Sequence, residues 1–512
     1  MSSNLRQRSV VSSYICTHPL SSEGFKFALF KRSQDVSTYR GKWAVCSGSI
    51  DPKDKSPESA AKREILEETT LSDEDISLLR RGKPFRLTDE GLKTEWTIHP
   101  FAWELKTGAK SIKFDWEHTE YRFIKPEDLE SYDHVPQLEL GLGRVTVSTE
   151  TERALAVLKD DHESGAQGLA LKALDLLLEM VKGDELSQLK RSDEFWREVR
   201  WRAWHLAKNG RPSMGASIEA ALFKALDASA KELSVNGAEG ADKVPLSKLK
   251  STVESAIESR ITTMQHRLDS LAQKFVQFVE QDLKAEEGGN SKPSINIVTL
   301  SASGTITRSL SSLIRNSAKN GVDIKLLVLE SRPKFEGVAL INTLLSSFNQ
   351  DSEIQPFLKV EIFSDASIAS VIQDAQYLIF GGDKVLPNGS VSNKIGSLAA
   401  AALAKSLNPE CKVVAVYETD KIVGSSFEAD HHKVEFNDEE EVIGSWPRSG
   451  AAGIKNKRKE GWVVEIKNAY FEWVPEKLID VHISEQGLLN KEDILKLGNQ
   501  TGELEERLFE DL

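Results

Sequence analysis

The sequence predicts an α/β chain in three parts: a mixed α+β unit over residues 1–145, a helical subdomain over 150–285 and a parallel-sheet domain over 290–512. Three observations lead there. With 512 residues the chain exceeds the roughly 250 to 300 residues at which one hydrophobic core stops growing. Its apolar rhythm changes twice, from short β-type runs to helical spacing and then to buried strands alternating with helices. The stretch KAEEGGNSKPS at 284–294 collects the Gly, Asn, Ser and Pro that punctuate structure between the second and third parts.

In the first part SVVSSYICT, KFALFKRS and WAVCSG read as strands, a helix pattern runs from Ser56 to about Leu71, and TEWTIHPFAWEL and HTEYRFI return to strand character. In the second, LALKALDLLLEMV, DEFWREVRWRAWHLA and ITTMQHRLDSLAQKFVQFVEQDL place apolar residues three and four apart, interrupted by the loop SVNGAEGADKVP. In the third, INIVTL, IKLLVLES, KVEIFS, YLIFGG and KVVAVYE are near-continuous apolar runs of the kind a parallel sheet buries on both faces, and ITRSLSSLIRNSAK and SLAAAALAKSL supply helices between them. That alternation describes a Rossmann-like domain. Residues 424–460 hold NDEEE, two adjacent histidines and KNKRK without a period, and read as a solvated, mobile insertion.

Composition narrows the function classes. A net charge of -13 argues against broad nucleic-acid or anionic-membrane binding, while leaving room for a local basic pocket that takes a phosphorylated small molecule. No apolar stretch approaches the roughly 20 residues of a membrane helix. Cys16, Cys46 and Cys411 lack metal-ligand or disulfide spacing, and MSSNLRQRSVVSSYIC lacks the apolar core of a secretory signal. A cytoplasmic location is the expectation.

The first chemical constellation lies in SGSIDPKDKSPESAAKREILEETTL. Ser56 caps the helix, Pro57 fits its first position, and Glu64, Glu67 and Glu68 fall on one face at i, i+3 and i+4. Clustered carboxylates call for a cation, and Mg²⁺ prefers hard oxygen ligands; the plain alternative is a solvated acidic face laced by Arg63 and Glu67. The stretch resembles the Nudix box of enzymes that hydrolyse nucleoside diphosphates linked to another moiety, and DWEHTEYRFIKPEDL resembles a later segment of that domain, so the likeness spans residues 8 to 143. It implies a metal set of Glu64, Glu67 and Glu68, with Glu67 also catalytic. Ser49, Lys55 and Thr70 depart from the box where it has glycine, glutamate and glycine.

The second constellation gathers at strand ends, where parallel sheets bind ligands. In INIVTLSASGTITRSL, Ser301, Ser303, Gly304 and Thr305 stand between a strand and a helix start, an anion cradle in prospect. LLVLESRPKFEG ends a strand near Arg332, whose fork suits phosphate, and IFGGDKVLPNGSVSNKIGS places Asp383 at a strand end with Asn393, Lys394 and Gly396 at the following helix start. Each has a plain reading: Gly381 and Gly382 as a tight turn, Arg332 paired with an acid, Ser301 as a cap.

ESRPKFEG, GGDKVLPNGSVSNKIGS, VAVYETDKI and NAYFEWVPEKLIDVHISEQG resemble the family that joins the α, β and δ regulatory subunits of translation initiation factor 2B with the isomerases of methylthioribose 1-phosphate and ribose 1,5-bisphosphate. DHESGAQGLALKAL and AWHLAKNGRPSMGAS extend the likeness to residues 150–512, and the whole chain is similar to a fusion found among fungal proteins. The resemblance implies Asp383 as the acid-base residue, Ser301 where the isomerases have a cysteine, and Arg211, Arg332, Asn393 and Lys394 as ligand-binding residues. Ser164 stands where many isomerases have an arginine. A serine hydroxyl is far less acidic than a thiol. The expected function is a regulatory protein with a sugar-phosphate or nucleotide pocket, fused to a Mg²⁺-dependent Nudix domain; the alternatives are an aldose-ketose isomerase coupled to Nudix hydrolysis and a dimerising scaffold. A homodimer or initiation factor 2B-type subunits are the expected partners, with no nucleic acid and no membrane.

Overall fold

The computed structural model describes residues 5–22, 24–91, 93–161, 164–286, 294–348, 351–424 and 436–512. Its first unit is an eight-stranded sheet whose spine runs Trp43–Ala44, Phe27–Arg32, Arg6–Cys16, Thr94–Leu105, Ile76–Arg81. The two long strands pair in parallel from Arg6 opposite Thr94 to Cys16 opposite Glu104. Both faces bury apolar residues, Ile15, Phe30 and Trp103 on one side and Tyr14, Leu29 and Leu142 on the other. Cys46–Ser49 pairs antiparallel with the Arg6–Cys16 strand and leads through a short loop into the helix Pro57–Thr69. That helix begins with a capping box in which Ser56 and Ser59 serve each other's backbone N–H, and it ends at Thr70 in the left-handed region, φ 64°. This position demands a conformation that favours glycine, and a β-branched threonine adopts it at a cost.

The helices Thr149–Asp160, Ala166–Lys182, Ser192–Asn209, Gly215–Leu233 and the 41-residue Leu246–Glu286 follow. They close around Leu174, Phe195, Trp196, Leu222 and Val253. The longest helix serves two cores. Leu249, Val253 and Ile257 lie in the helical core, whereas Leu271, Phe275 and Val279 pack against the second sheet. The C-terminal helix Lys491–Phe509 crosses back, burying Leu508 and Phe509 in the helical core. Elements remote in sequence thus share one interior.

The second sheet has seven strands in the order Leu358–Phe363, Asp323–Leu329, Ser294–Leu300, Tyr377–Phe380, Lys412–Val416, Val481–Ser484, Gly487–Leu489. All neighbours are parallel except the last pair. Strand order reverses between Ser294–Leu300 and Tyr377–Phe380, so these two strands release their chains in opposite directions across the sheet and open a crevice at their carboxyl ends. Asp420, just past Lys412–Val416, is 3% exposed and is met by Lys224 at 2.6 Å and by Arg260 and Arg267. Three cations from two helices of the helical part therefore converge on one acid of the sheet part. Removing one member of such a buried cluster costs about 3–5 kcal/mol, because charges are left uncompensated.

The first unit docks on the helices through Arg80 with Glu152, Lys159 Nζ donating to the Leu79 carbonyl at 2.6 Å, and Asn209, whose amide takes both backbone groups of Arg81 at 2.7 and 3.0 Å.

The segment expected to be a solvated, mobile insertion carries regular secondary structure where it is described. Phe436–Asn437 pairs with Asn468–Ala469, and helices span Glu439–Gly444 and Arg448–Lys459. Charge placement explains it: NDEEE supplies a capping Asp438 and acids at one helix start, KNKRK supplies cations at the other helix end, and Glu440 pairs with Lys455 at 2.8 Å. The two histidines of that segment lie outside the described residues. Among the described residues no helix is long and apolar enough to cross a membrane.

Candidate functional site

A cavity of about 280 Å³ lies where the strand order of the second sheet reverses, closed on its other side by the helical part. Its wall includes Ser301, Asp383, Asn393, Lys394 and Arg211. Ser301 and Asp383 follow neighbouring strands of the sheet, so residues 82 positions apart in sequence reach one crevice.

The backbone around Ser301 is held in an uncommon state. Ser301 has φ 67° and Ser331 φ 60°, and the Ser301 N–H donates to Ser331 Oγ at 2.7 Å. Left-handed serines cost free energy and persist where surrounding structure holds them. The turn presents the N-terminus of the helix Gly304–Lys319 to the cavity, and Ser303 makes no side-chain cap, so among the described residues no cap takes the first amides of that helix. The helix Ala166–Lys182 also begins at the cavity, with Gly165 at its cap and no side-chain bond. Two uncapped helix starts facing one cavity form an anion-favouring environment.

Asp383 is pushed above the usual carboxylate range by burial, against Lys421, Lys394 and Lys384, which lower it, while Glu336 reinforces the rise. Gly381 and Gly382 sit in close packing: a β-carbon on Gly382 would lie 3.1 Å from Val391 Cγ1 and 3.3 Å from Tyr417 Cβ, so these neighbours would have to give way. Asn393 and Lys394 do not open a helix as the sequence predicts. They end the short strand Val391–Lys394, paired with Phe471–Val474, and the helix starts only at Ser397. The amides of that helix are taken by Glu472, whose Oε1 accepts from Gly396 N at 2.6 Å and Leu398 N at 2.9 Å. Asn393 Nδ2 donates to Ser397 Oγ at 2.8 Å, and Lys394 Nζ pairs with Glu336 at 2.7 Å.

Arg332 does not line this cavity. Asp365 grips the Ser331 and Arg332 amides at 2.8 Å each, and the guanidinium donates to the carbonyl and hydroxyl of Ser445 at 3.1 and 3.0 Å. Ser445 terminates the helix Glu439–Gly444, whose negative end attracts a cation. The sequence reading did not single out Lys334, Glu336, Glu418 or Lys421, which line the cavity. Glu418 and Lys421 lie in the quoted VAVYETDKI, whose charged residues in a buried strand end were the available signal.

In the first unit Arg63 organises the acidic helix. Its guanidinium donates to Asp54 at 2.9 and 3.2 Å, to Glu64 at 2.8 Å, to Glu67 at 3.2 Å and to the Ser49 carbonyl at 3.0 Å. Lys55 points to solvent, and the neighbouring Asp54 supplies the carboxylate absent at position 55. Glu68 is turned inward, accepts from Ser47 N at 3.1 Å and lies 3.6 Å from His118. Burial, then Glu64, Glu117 and Asp115, push Glu68 well above the usual carboxylate range, and burial likewise raises Glu64. A β-carbon on Gly48 would fall 2.0 Å from the Glu64 carboxylate. Mutually repelling hard-oxygen donors fit a divalent cation in chemistry. In the described geometry Arg63 bridges Glu64 and Glu67, and among the described residues no three acidic, histidine or cysteine side chains converge on one metal position.

Comparison with known proteins follows this division. The Initiation factor 2 subunit family model matches residues 162–491, and the NUDIX domain model matches residues 16–141. A ribose 1,5-bisphosphate isomerase of Haloterrigena turkmenica is 24% identical over 181 residues, 35% of this chain and 51% of that protein. A methylthioribose-1-phosphate isomerase of Xylella fastidiosa is 27% identical over 191 residues, 36% of this chain and 48% of that protein. The chain thus spans about half the length of these isomerases. The nucleoside triphosphatase NudI of Escherichia coli is 28% identical over 137 residues, 25% of this chain and 89% of that protein.

Proposed function

Given that the chain belongs to the initiation factor 2 subunit family and carries a NUDIX domain ahead of that module, we propose that it is a regulatory protein whose second-sheet cavity binds a sugar phosphate or nucleotide. The observation that supports this reading is the cavity itself: two uncapped helix starts, Arg211 and Lys394 around a space of about 280 Å³. A serine at position 301 favours recognition over turnover, since its hydroxyl does not ionise at neutral pH. Arg211, Asn393 and Lys394 hold the ligand, and Asp383 is protonated more readily than an exposed carboxylate.

The NUDIX domain is a hydrolase of nucleoside diphosphate derivatives in this reading, with Glu64, Glu67 and Glu68 holding Mg²⁺. A divalent ion bound there supplies Lewis-acid charge to a diphosphate. Arg63 positions the acids, and Glu68, held by Ser47, anchors the inner side of the set. Asp383 supports the second reading, an isomerase consuming a sugar phosphate that the first domain releases, because a carboxyl at the cavity wall whose proton burial holds more firmly than water would is suited to give and take a proton. The protein acts in the cytoplasm, as a homodimer or with initiation factor 2B-type subunits.

Thermal shift and calorimetry of the full chain with a panel of sugar phosphates and nucleotides test the main reading. Stabilisation by at least one of them, weakened in Lys394→Met, is expected. Turnover of a sugar phosphate that disappears in Asp383→Asn would replace the regulatory reading with the isomerase. No stabilisation by any phosphorylated compound would remove the cavity as a ligand site.

A further inference from the structure

The cations of the cavity wall are already engaged. Arg211 donates to the Asp161 carbonyl, Lys334 pairs with Glu441 at 3.0 Å, Lys394 pairs with Glu336 at 2.7 Å, and Lys421 Nζ donates to the Gly382 carbonyl at 2.8 Å. Glu418 differs from all of them. It is 5% exposed, its Oε1 accepts from Thr305 Oγ1 at 3.1 Å, and its buried Oε2 has no hydrogen-bond partner among the described residues. A charged acceptor taken out of water without a donor is costly, and native structures rarely leave one so. Arg267 lies near enough to feel the charge of Glu418 but makes no hydrogen bond to it among the described residues, and Glu418 forms part of the cavity wall, from which a ligand can supply the donor.

The chemistry of the donor follows from the neighbours. A phosphate monoester is mostly dianionic at neutral pH and would be repelled by Glu418, whereas a neutral hydroxyl donates without that repulsion. Thr305, which orients Glu418, sits in the first turn of the helix Gly304–Lys319, whose open amides favour an anion. A hydroxyl subsite and an anion subsite are therefore joined through one residue.

We propose that Glu418 is the hydroxyl-recognising residue of this cavity and that the ligand is a phosphorylated polyhydroxy compound, its phosphate at the helix start and a nearby hydroxyl donating to Glu418 Oε2. This rests on the reading of the cavity as a phosphate-ligand site and adds a residue that selects among such ligands. Carboxylates serve ribose hydroxyls in this way at other strand ends of α/β sheets.

Calorimetry with ribose 5-phosphate and with inorganic phosphate, on the full chain and on Glu418→Gln, tests it. The side chain keeps its size and its Thr305 partner in the variant while losing the charged acceptor. Wild type is expected to prefer ribose 5-phosphate, and the variant to lose roughly tenfold to a hundredfold of that affinity with inorganic phosphate unchanged or tighter. Thr305→Val, which leaves the carboxylate present but unheld, is expected to give a smaller loss in the same direction, and serves if Glu418→Gln does not melt as wild type does. An unchanged ratio between the two ligands in both variants overturns the role of Glu418 while leaving the phosphate site standing. Absence of binding by either compound to wild type overturns the site and this assignment together.

Discussion

Lys394 Nζ lies 2.7 Å from Glu336 and 4.2 Å from the ring centroid of Tyr470. The lysine best placed for a phosphate is thus held by an anion of the protein's own, in a wall where it is only 4% exposed. On the proposed reading of the cavity, an incoming phosphate competes with Glu336 for this charge.

Glu336→Gln is therefore expected to tighten inorganic phosphate binding by roughly three- to tenfold, about 0.7–1.4 kcal/mol, while lowering the melting temperature of the ligand-free protein because Lys394 is left buried without its ion pair. Calorimetry and a thermal melt in parallel check both halves. Unchanged phosphate affinity would show that Lys394 does not meet the anion.

Acid is expected to loosen the junction between the first unit and the helices. His205 is held well below its usual range by burial first, then by Arg80 and Arg144. Its Nδ1 faces Asn209 Nδ2 at 3.2 Å; the amide nitrogen donates, so the ring must accept and stay neutral. His482 is lowered to about 4 by burial, with Glu476 opposing. Folded-state values below the unfolded value mean that the unfolded chain binds more protons, so stability is full above about pH 6.5 and falls as pH drops toward the folded values. With at most about 1.4 kcal/mol per pH unit for each histidine, the two together lose roughly 2–3 kcal/mol between about pH 7 and about pH 5.5. Urea unfolding at the two pH values measures this, and His205→Gln is expected to flatten the dependence. An equal dependence in that variant would exclude His205 as a source.

Gly48→Ala is expected to separate activity from folding in the first unit. The new methyl would meet the Glu64 carboxylate at 2.0 Å, the far end of a flexible side chain, so Glu64 swings away while the sheet stays intact. Stability should change by less than about 1 kcal/mol. Mg²⁺-dependent cleavage of nucleoside diphosphate derivatives should fall at least tenfold, and Glu67→Gln should abolish it. Full activity in Glu67→Gln would remove that residue from the metal set.

The division into a NUDIX domain and an initiation factor 2 family module could be read from the chain alone. So could the rhythm of strands and helices and the capped acidic helix. These depend on periods of two and 3.6 residues and on motifs contained in a few adjacent positions, which local sequence carries in full. Helix formation in NDEEE and KNKRK was also encoded locally, in acids at one helix start and basic residues at another helix end. The lack of an apolar period hid it.

Tertiary structure decided where side chains point. Arg332 turns to Ser445 because Asp365, 33 residues away, fixes its backbone. Asp54 takes the acid's part that position 55 lacks because the loop before Pro57 folds it onto Arg63. Lys394 meets Glu336 and Glu418 meets Thr305 through contacts spanning 58 and 113 residues, and among the described residues the other oxygen of Glu418 is left unmet. A residue type states what a group can donate or accept, whereas its partner is set by packing between elements distant in the chain, where burial turns each unmatched charge into a cost.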